Sequence, residues 1–117
     1  MEKLPEGGAP FQKLDFSCWQ VQGFSSRFRS LGARAAIVAG MECHVCVLQT
    51  VLDMLQEGVA VHVPRDAVIS RTEQNRMTGL EMMDRAGAVV TSTETVIFQV
   101  LEQAGTPAFK TMAKLVK

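Results

Sequence analysis

Three apolar segments, each followed by a segment with helical periodicity, constrain the possible folds of this chain more than any other feature. Residues 33–40 form a run that is apolar except for Arg34 and ends in glycine, and residues 59–64 and 88–93 form two further, mainly apolar runs. Short runs of this kind are typical of strands buried on both faces of a parallel sheet. Because strands that alternate with helices connect through right-handed crossovers, the pattern predicts an α/β fold.

The segments between the strands have the spacing of amphipathic helices. Residues 43–57 repeat apolar side chains at steps of three and four. A second helix is predicted to begin at a Ser70 or Thr72 cap and to continue to the next strand. Thr91, with Glu94 three residues later, matches a capping box for the following helix. The last ten residues have the pattern of a final amphipathic helix.

Three strands make a small sheet, because a doubly wound fold usually has five or six. Residues 1–32 begin with several glycines and prolines and are interpreted as an irregular N-terminal segment, in which residues 25–32 could form a short helix. We therefore predict one domain over residues 1–117, with an α/β core at 33–117 whose sheet is either small or incomplete.

The composition excludes several classes of protein. The chain has 117 residues, of which 47% are hydrophobic, and its 12 basic residues balance its 12 acidic ones. A hydrophobic core can therefore form, and nucleic acid is not an expected partner. No apolar run has the length needed to cross a bilayer, and the start lacks the apolar region of a signal peptide. An odd count of 3 cysteines suggests a reducing compartment, with the cytoplasm expected and mitochondria as the alternative.

Cys43 and Cys46 follow the first predicted strand, where open α/β sheets bind their ligands. Cys46 falls in the first turn of the predicted helix, whose free N–H groups favour a thiolate and can hold a developing oxyanion. A nucleophilic cysteine is one interpretation of this motif. Three others stay open. They are a zinc site completed from Cys18, His44 and His62, a redox pair, and the packing of two buried thiols.

Several longer stretches carry a resemblance. They are "AIVAGMECHVCVLQTVLDMLQEGVAVHVPRDAVISR", "NRMTGLEMMDRAGAVVTSTETVIFQVL", "PAFKTMAKLVK" and, more weakly, "KLDFSCW". Together they resemble the isochorismatase-like family of cysteine hydrolases, and within it the isochorismatase domain-containing proteins. The glycine, the "HVCV" segment, the "DAVISR" and the "TSTET" agree with the family in order and spacing, mainly over residues 33–117.

The resemblance implies a three-layer α/β/α fold with a parallel, Rossmann-like sheet. It also implies hydrolysis of a small amide or enol ether by a cysteine, a lysine and an aspartate. The nucleophile matches Cys46 and the lysine matches Lys13. The family's cis peptide corresponds to the Met41–Glu42 bond, and the backbone N–H groups of Glu42 and Cys46 correspond to its oxyanion hole. We expect no cofactor and no metal, and we expect a homo-oligomer because family members commonly assemble through their helices.

The chain departs from the family at the third catalytic group. The family's aspartate lies on the first strand in an Asp-x-Gln segment, which this sequence does not contain. We therefore expect the N-terminal strands to be missing and the hydrolase to be impaired or inactive. Asp66 follows a strand end and could approach the site, but a loop or capping role is favoured. The alternative is a non-catalytic, truncated domain that acts through protein association.

Other conspicuous side chains receive structural interpretations. Trp19 is expected to pack in the core, and His44 is expected on a helix surface. Arg71 and Arg76 are expected to form ion pairs with Glu73 or Asp84 on the surface, and no functional role is assigned to them.

Overall fold

The computed structural model describes residues 10–116, and its strands form two parallel sheets. The strands are β1 (Ala35–Ile37), β2 (Gly40–Met41), β3 (Ala60–Pro64), β4 (Val68–Ile69) and β5 (Val89–Thr91). The main sheet has the order β1-β3-β5, and β2 pairs with β4 in a second sheet. The run predicted as one strand is divided into β1 and β2, and β2 begins at Gly40, whose φ of 114° is a conformation that glycine reaches more easily than other residues. Strand β4 lies between the second predicted strand and the second predicted helix, where the sequence predicts no strand.

Helices connect these strands and flank the main sheet. They are α1 (Phe24–Ser30), α2 (Leu48–Gln56), α3 (Glu73–Ala86), α4 (Thr93–Leu101) and α5 (Pro107–Leu115). The side chain of Thr72 caps α3, and Gly87 ends that helix in the left-handed conformation. The predicted Thr91 cap of α4 is wrong, because Ser92 accepts the capping hydrogen bond and Thr91 is a buried residue of β5. Over residues 10–116, no helix is long and apolar enough to cross a membrane.

The core lies between the main sheet and the helices α2 and α3. Its largest fully buried side chains are Met83, Val51, Val61, Val63 and Cys43. Two of them lie on alternate positions of β3, so one face of that strand points into the core. Burying one such side chain completely stabilises the fold by about 1.5–3 kcal/mol. Parallel sheets flanked by helices confirm the predicted α/β class.

The opposite face of the main sheet is largely open in the described part of the chain. The strand register pairs Ile37 with His62 and His62 with Val89, so these three residues share one face. Ile37 and Val89 expose 56% and 50% of their surface. This face therefore presents apolar side chains to solvent.

The segment that precedes the sheet is anchored to α2, although it was predicted to be irregular. Ser17 Oγ donates a hydrogen bond of 2.7 Å to Asp53 Oδ2 on α2. Trp19 is buried, as expected, and packs edge-to-face against Phe24 and Phe28 of α1, with ring centroids 6.3 and 5.7 Å away. The folded unit therefore begins before residue 33.

Asp66 caps α4 from a neighbouring connection. Its Oδ1 accepts hydrogen bonds from the backbone N–H of Thr93 at 2.8 Å and from the Thr93 hydroxyl at 3.0 Å. These bonds, chiefly the one from the backbone, hold the pKa of Asp66 below its ordinary value. Asp66 thus has the capping role that the sequence favoured.

Substituting Asp66 by asparagine is expected to lower the Tm of the protein near neutral pH. A depressed folded-state pKa means that the carboxylate stabilises the fold above the unfolded-state pKa of about 3.9. This stabilisation is lost as the pH falls through the lower folded-state pKa. Thermal melts of Asp66→Asn and the wild type should therefore converge at acid pH, while Asp15→Asn, at an exposed position, serves as the control. A Tm difference that does not change with pH would contradict the capping role.

Candidate active site

The pairing of β2 with β4 brings two distant parts of the chain to one edge. Gly40 pairs with Val68, and Met41 pairs with Ile69, in parallel register. Because parallel strands end at the same edge, the segments that follow them also meet there. The peptide bond that leaves β2, between Met41 and Glu42, is cis. This edge leads into the segment that contains Met41, Glu42 and Cys46, three of the residues assigned to the active site from the sequence.

A single π-helical turn, Cys43–Val47, leads from this edge into α2. We call it the nucleophile turn. The backbone carbonyl of Glu42 accepts hydrogen bonds from the N–H groups of Val45 at 3.1 Å and Val47 at 3.2 Å. The N–H of Cys46 lies between them in sequence, in the first turn of the helical segment, where backbone N–H groups can hold an anion.

The two cysteines of the turn have different surroundings. Cys43 is fully buried, and its Sγ lies 3.5 Å from the carbonyl oxygen of Arg76, to which it can donate. Burial raises the pKa of the Cys43 thiol, an effect that the nearby Arg76 opposes. Cys46 is only partly buried, and both thiols are free. The turn therefore combines one inert packing thiol with one that solvent can reach.

A chain of polar contacts joins the nucleophile turn to the segment after β4. Arg71 Nε donates a hydrogen bond of 2.8 Å to Glu42 Oε1, and Ser70 Oγ lies 2.9 Å from His44 Nδ1. His44 Nδ1 is also 3.5 Å from Glu42 Oε2. The hydrogen bond from Arg71 holds the pKa of Glu42 below its ordinary value, against the opposing effect of burial. His44 is therefore held inside this network, and Arg71 does not pair with the acidic residues proposed for it.

Helix α3 approaches the nucleophile turn at Gly79. A Cβ atom added to Gly79 would lie 2.9 Å from the carbonyl oxygen of Cys43 and 3.0 Å from the Cα of His44. Both neighbours are backbone atoms, which cannot rotate away as a flexible side chain can. The absence of a side chain at this position therefore allows the helix to support the turn.

Gly79→Ala is expected to destabilise the protein by about 1–3 kcal/mol through overpacking. Helix propensity alone predicts the opposite sign, a stabilisation of about 0.8–1 kcal/mol. Urea denaturation measures the difference, with Thr78→Ala, at an exposed position of the same helix, as the control. A Gly79→Ala variant that is more stable than the wild type would show that the close approach of α3 is unimportant.

Lys13 is not held beside Cys46 by the contacts of its side chain. Its ammonium group donates hydrogen bonds of 3.0 Å to the backbone carbonyl oxygens of Asp15 and Phe16, within its own exposed segment. Lys13 lines a cavity of about 580 Å³ that is formed by residues 12–15, Val21 and Gln22. The hydrogen bonds of the Lys13 side chain are therefore made within its own segment, and its role beside Cys46 stays a prediction.

The surroundings of the turn offer a cleft and no metal-binding cluster. A cleft of about 490 Å³ runs along β2 and β4 and is lined by Gly40, Met41 and the segment around Asp66, although Cys46 does not line it. Within the described range 10–116, no three His, Cys, Asp or Glu side chains are grouped so that they could hold a metal ion.

Three residues of this site were not identified from the sequence, namely Ser70, Arg71 and Gly79. Ser70 was considered only as a helix cap, and Arg71 only as a surface residue. Each contacts the nucleophile turn through the β2–β4 pairing or through the packing of α3, which connect residues far apart in sequence. The signal that could have found Ser70 and Arg71 is their position directly after a short apolar "AVI" segment.

Comparisons with known proteins agree with this geometry. The Isochorismatase domain family matches residues 1–95. A protein of Phytophthora sojae described as a secreted isochorismatase effector is 49% identical over 84 residues, which cover 72% of this chain and 40% of the relative. Isochorismatase domain-containing protein 1 of Danio rerio is 37% identical over 129 residues, which cover 99% of this chain and 46% of the relative.

A solved structure described as a MAR1 ribonuclease from Caenorhabditis elegans has a TM-score of 0.79 and 36% sequence identity. The alignment covers 89% of this chain and 53% of that one. The chain thus spans about half the length of the relatives it matches. Since the family match extends over most of the sequence and includes the nucleophile turn, the chain belongs to the isochorismatase family.

Proposed function

We propose that this chain carries the cysteine nucleophile of an isochorismatase-like hydrolase that acts on a small amide or enol ether. Cys46 is the proposed nucleophile, and the backbone N–H groups of Glu42 and Cys46 are the proposed oxyanion hole. One observation carries the proposal. Cys46 is a partly exposed thiol in the first helical turn after the ends of two paired parallel strands.

For an amide, the proposed reaction has two steps. The Cys46 thiolate attacks the carbonyl carbon, and the tetrahedral oxyanion accepts hydrogen bonds from the two N–H groups. Collapse of this intermediate breaks the C–N bond, and the amine leaves with the proton that the thiol released. Water then attacks the thioester, which releases the acid and restores the thiol.

The proton transfer is the step for which this chain lacks the family's residue. The family assigns it to the aspartate of an Asp-x-Gln segment, and this sequence has none. A general base typically contributes a factor of about 10² to 10⁴ in rate, so the proposed activity is low. We assign Lys13 to charge stabilisation on the basis of the sequence match. For this role, the Lys13 ammonium has to release its hydrogen bonds to the carbonyl oxygens of Asp15 and Phe16 and bind the substrate instead.

The reactivity of the three cysteines tests the proposal without knowledge of the substrate. Treatment with iodoacetamide near neutral pH is expected to modify Cys46 rapidly and stoichiometrically, Cys18 more slowly and buried Cys43 last. Peptide mass mapping gives each rate, and the urea-unfolded chain gives the rates of unprotected thiols. A Cys46 rate no higher than in the unfolded chain would reject the nucleophile. A reversible disulfide between Cys43 and Cys46 after mild oxidation would favour a redox function instead.

A second candidate function is association through the open face of the main sheet. The observation that favours it is the exposure of Ile37 and Val89 on a face that an α/β fold normally covers. We propose a second copy of this chain as the partner, since the family resemblance implies a homo-oligomer. Light scattering should show Ile37→Lys and Val89→Lys to be monomeric, and Leu31→Lys, away from the sheet, to behave as the wild type. A monomeric wild type would exclude this function.

The cellular compartment follows as a proposal from the cysteines. All three thiols are free and lie among the described residues. Free thiols persist where glutathione and thioredoxin keep them reduced, so we propose the cytoplasm, with mitochondria as the alternative.

A further inference from the structure

We infer that Arg71 is a positioning residue of the proposed active site, which neutralises Glu42 and so keeps a negative charge from opposing the Cys46 thiolate. This inference rests on the proposed function and adds to it a residue that the family resemblance does not assign. It begins from the position of Glu42, which is the N-cap of the nucleophile turn and lies four residues before Cys46.

Arg71 and Glu42 form an asymmetric ion pair. The Arg71 side chain exposes 79% of its surface, whereas that of Glu42 exposes 24%. Exposed pairs contribute little to the stability of the folded state, so the loss of Arg71 should not unfold the protein. A partly buried carboxylate, however, acts on its neighbours through less water than an exposed one. The Arg71–Glu42 pair is therefore expected to affect the charge near the nucleophile turn and not the stability of the fold.

The surroundings of the second carboxylate oxygen of Glu42 show that this side chain has few other partners. Glu42 Oε2 is shielded from solvent and has no hydrogen-bond partner among the described residues. His44 Nδ1 lies 3.5 Å away but makes its hydrogen-bond contact with Ser70 Oγ at 2.9 Å. Arg71 is thus the cation that hydrogen-bonds to the Glu42 carboxylate in this part of the structure.

The remaining charges near the turn largely cancel one another. Arg76 and Glu73 pair at 2.8 Å, and both lie towards Cys43. The charged pair nearest to the start of the nucleophile turn is therefore that of Glu42 and Arg71. Without Arg71, the carboxylate in the same turn as Cys46 is uncompensated, and the thiolate becomes less favourable.

The test compares rate constants for alkylation of Cys46 by iodoacetamide at low ionic strength. The variants are Arg71→Gln, Arg71→Lys, Glu42→Gln and the double variant Arg71→Gln/Glu42→Gln. Arg85→Gln is the matched control, because Arg85 exposes 78% of its side chain and pairs with Glu81 at the same 2.8 Å distance, on a different part of the surface.

Arg71→Gln is expected to slow alkylation about three- to tenfold, the effect of one uncompensated charge at the N-terminal end of the nucleophile turn. Arg71→Lys should retain most of the wild-type rate, because lysine keeps a cation beside Glu42. The double variant should recover the wild-type rate, because Glu42→Gln removes the carboxylate that Arg71→Gln leaves uncompensated. The effect should shrink at high salt, which a purely structural role would not predict. Arg85→Gln should react as the wild type.

The outcomes separate the two proposals. A rapid Cys46 in the wild type that is unchanged in Arg71→Gln overturns this inference alone. A slow Arg71→Gln variant that the Glu42→Gln substitution fails to rescue also overturns it, since the charge of Glu42 is then not the cause. A wild-type Cys46 that reacts no faster than an unfolded thiol overturns the proposed function and, with it, this inference.

Discussion

Replacing Cys46 by alanine is expected to reduce the hydrolysis of small amides and enol ethers to the rate in buffer. The substitution removes the sulfur that would attack the substrate, and no other partly exposed thiol lies in the nucleophile turn among residues 10–116. Wild-type turnover is itself expected to be low, by about 10² to 10⁴ relative to an enzyme with a general base. The measurement is release of amine or carbonyl product at high enzyme concentration.

Cys18→Ala is the matched control, because Cys18 is also partly exposed but lies in a short helical turn before α1. It should keep the wild-type rate. Equal turnover in Cys46→Ala and the wild type would reject Cys46 as the nucleophile.

Single-stranded RNA should also be tested as a substrate, because the similar Caenorhabditis elegans structure is described as a ribonuclease. The balanced charge of this chain predicts that RNA is not cleaved.

Met83→Ala is expected to lower the free energy of unfolding by about 2–5 kcal/mol. Met83 lies on α3, is completely buried and belongs to the cluster formed with Val51, Val61 and Val63. Truncation removes buried apolar surface and leaves a cavity that the sheet and α2 cannot fully close. Since small domains are stable by only about 5–15 kcal/mol, this is a large fraction of the total.

The adjacent residue provides the control. Met82 exposes 48% of its surface, so Met82→Ala is expected to change the free energy of unfolding by no more than about 0.5 kcal/mol. Urea denaturation of both variants, with the slope of the transition compared with that of the wild type, measures the effect. Equal losses in Met82→Ala and Met83→Ala would mean that α3 is not packed against the sheet through Met83.

Local signals in the sequence predicted much of the fold. The apolar runs near β1, β3 and β5 and the helical spacing of residues 43–57 and 73–86 reflect periods of two and 3.6 residues, which depend on neighbours in the chain. Thr72 and Gly87 could be assigned as helix ends for the same reason. Strand β4 escaped prediction because two residues are too short to show a period.

Choices between adjacent polar residues were less predictable. Thr91 and Ser92 both fit a cap by composition, and the burial of Thr91 in β5 decides in favour of Ser92. Cys43 and Cys46 likewise differ little in their immediate sequence. Packing under α3 seals the first and leaves the second partly exposed.

Sequence alone was therefore sufficient for the α/β class, for the family and for the assignment of Cys46 as the candidate nucleophile. Tertiary structure decided that Arg71 pairs with Glu42, that Gly79 allows α3 to pack closely against the nucleophile turn, and that the Lys13 ammonium binds its own segment. The physical reason is the range of the interactions. Periodicity and capping act over a few residues, whereas these contacts depend on how separate strands and helices come together in space.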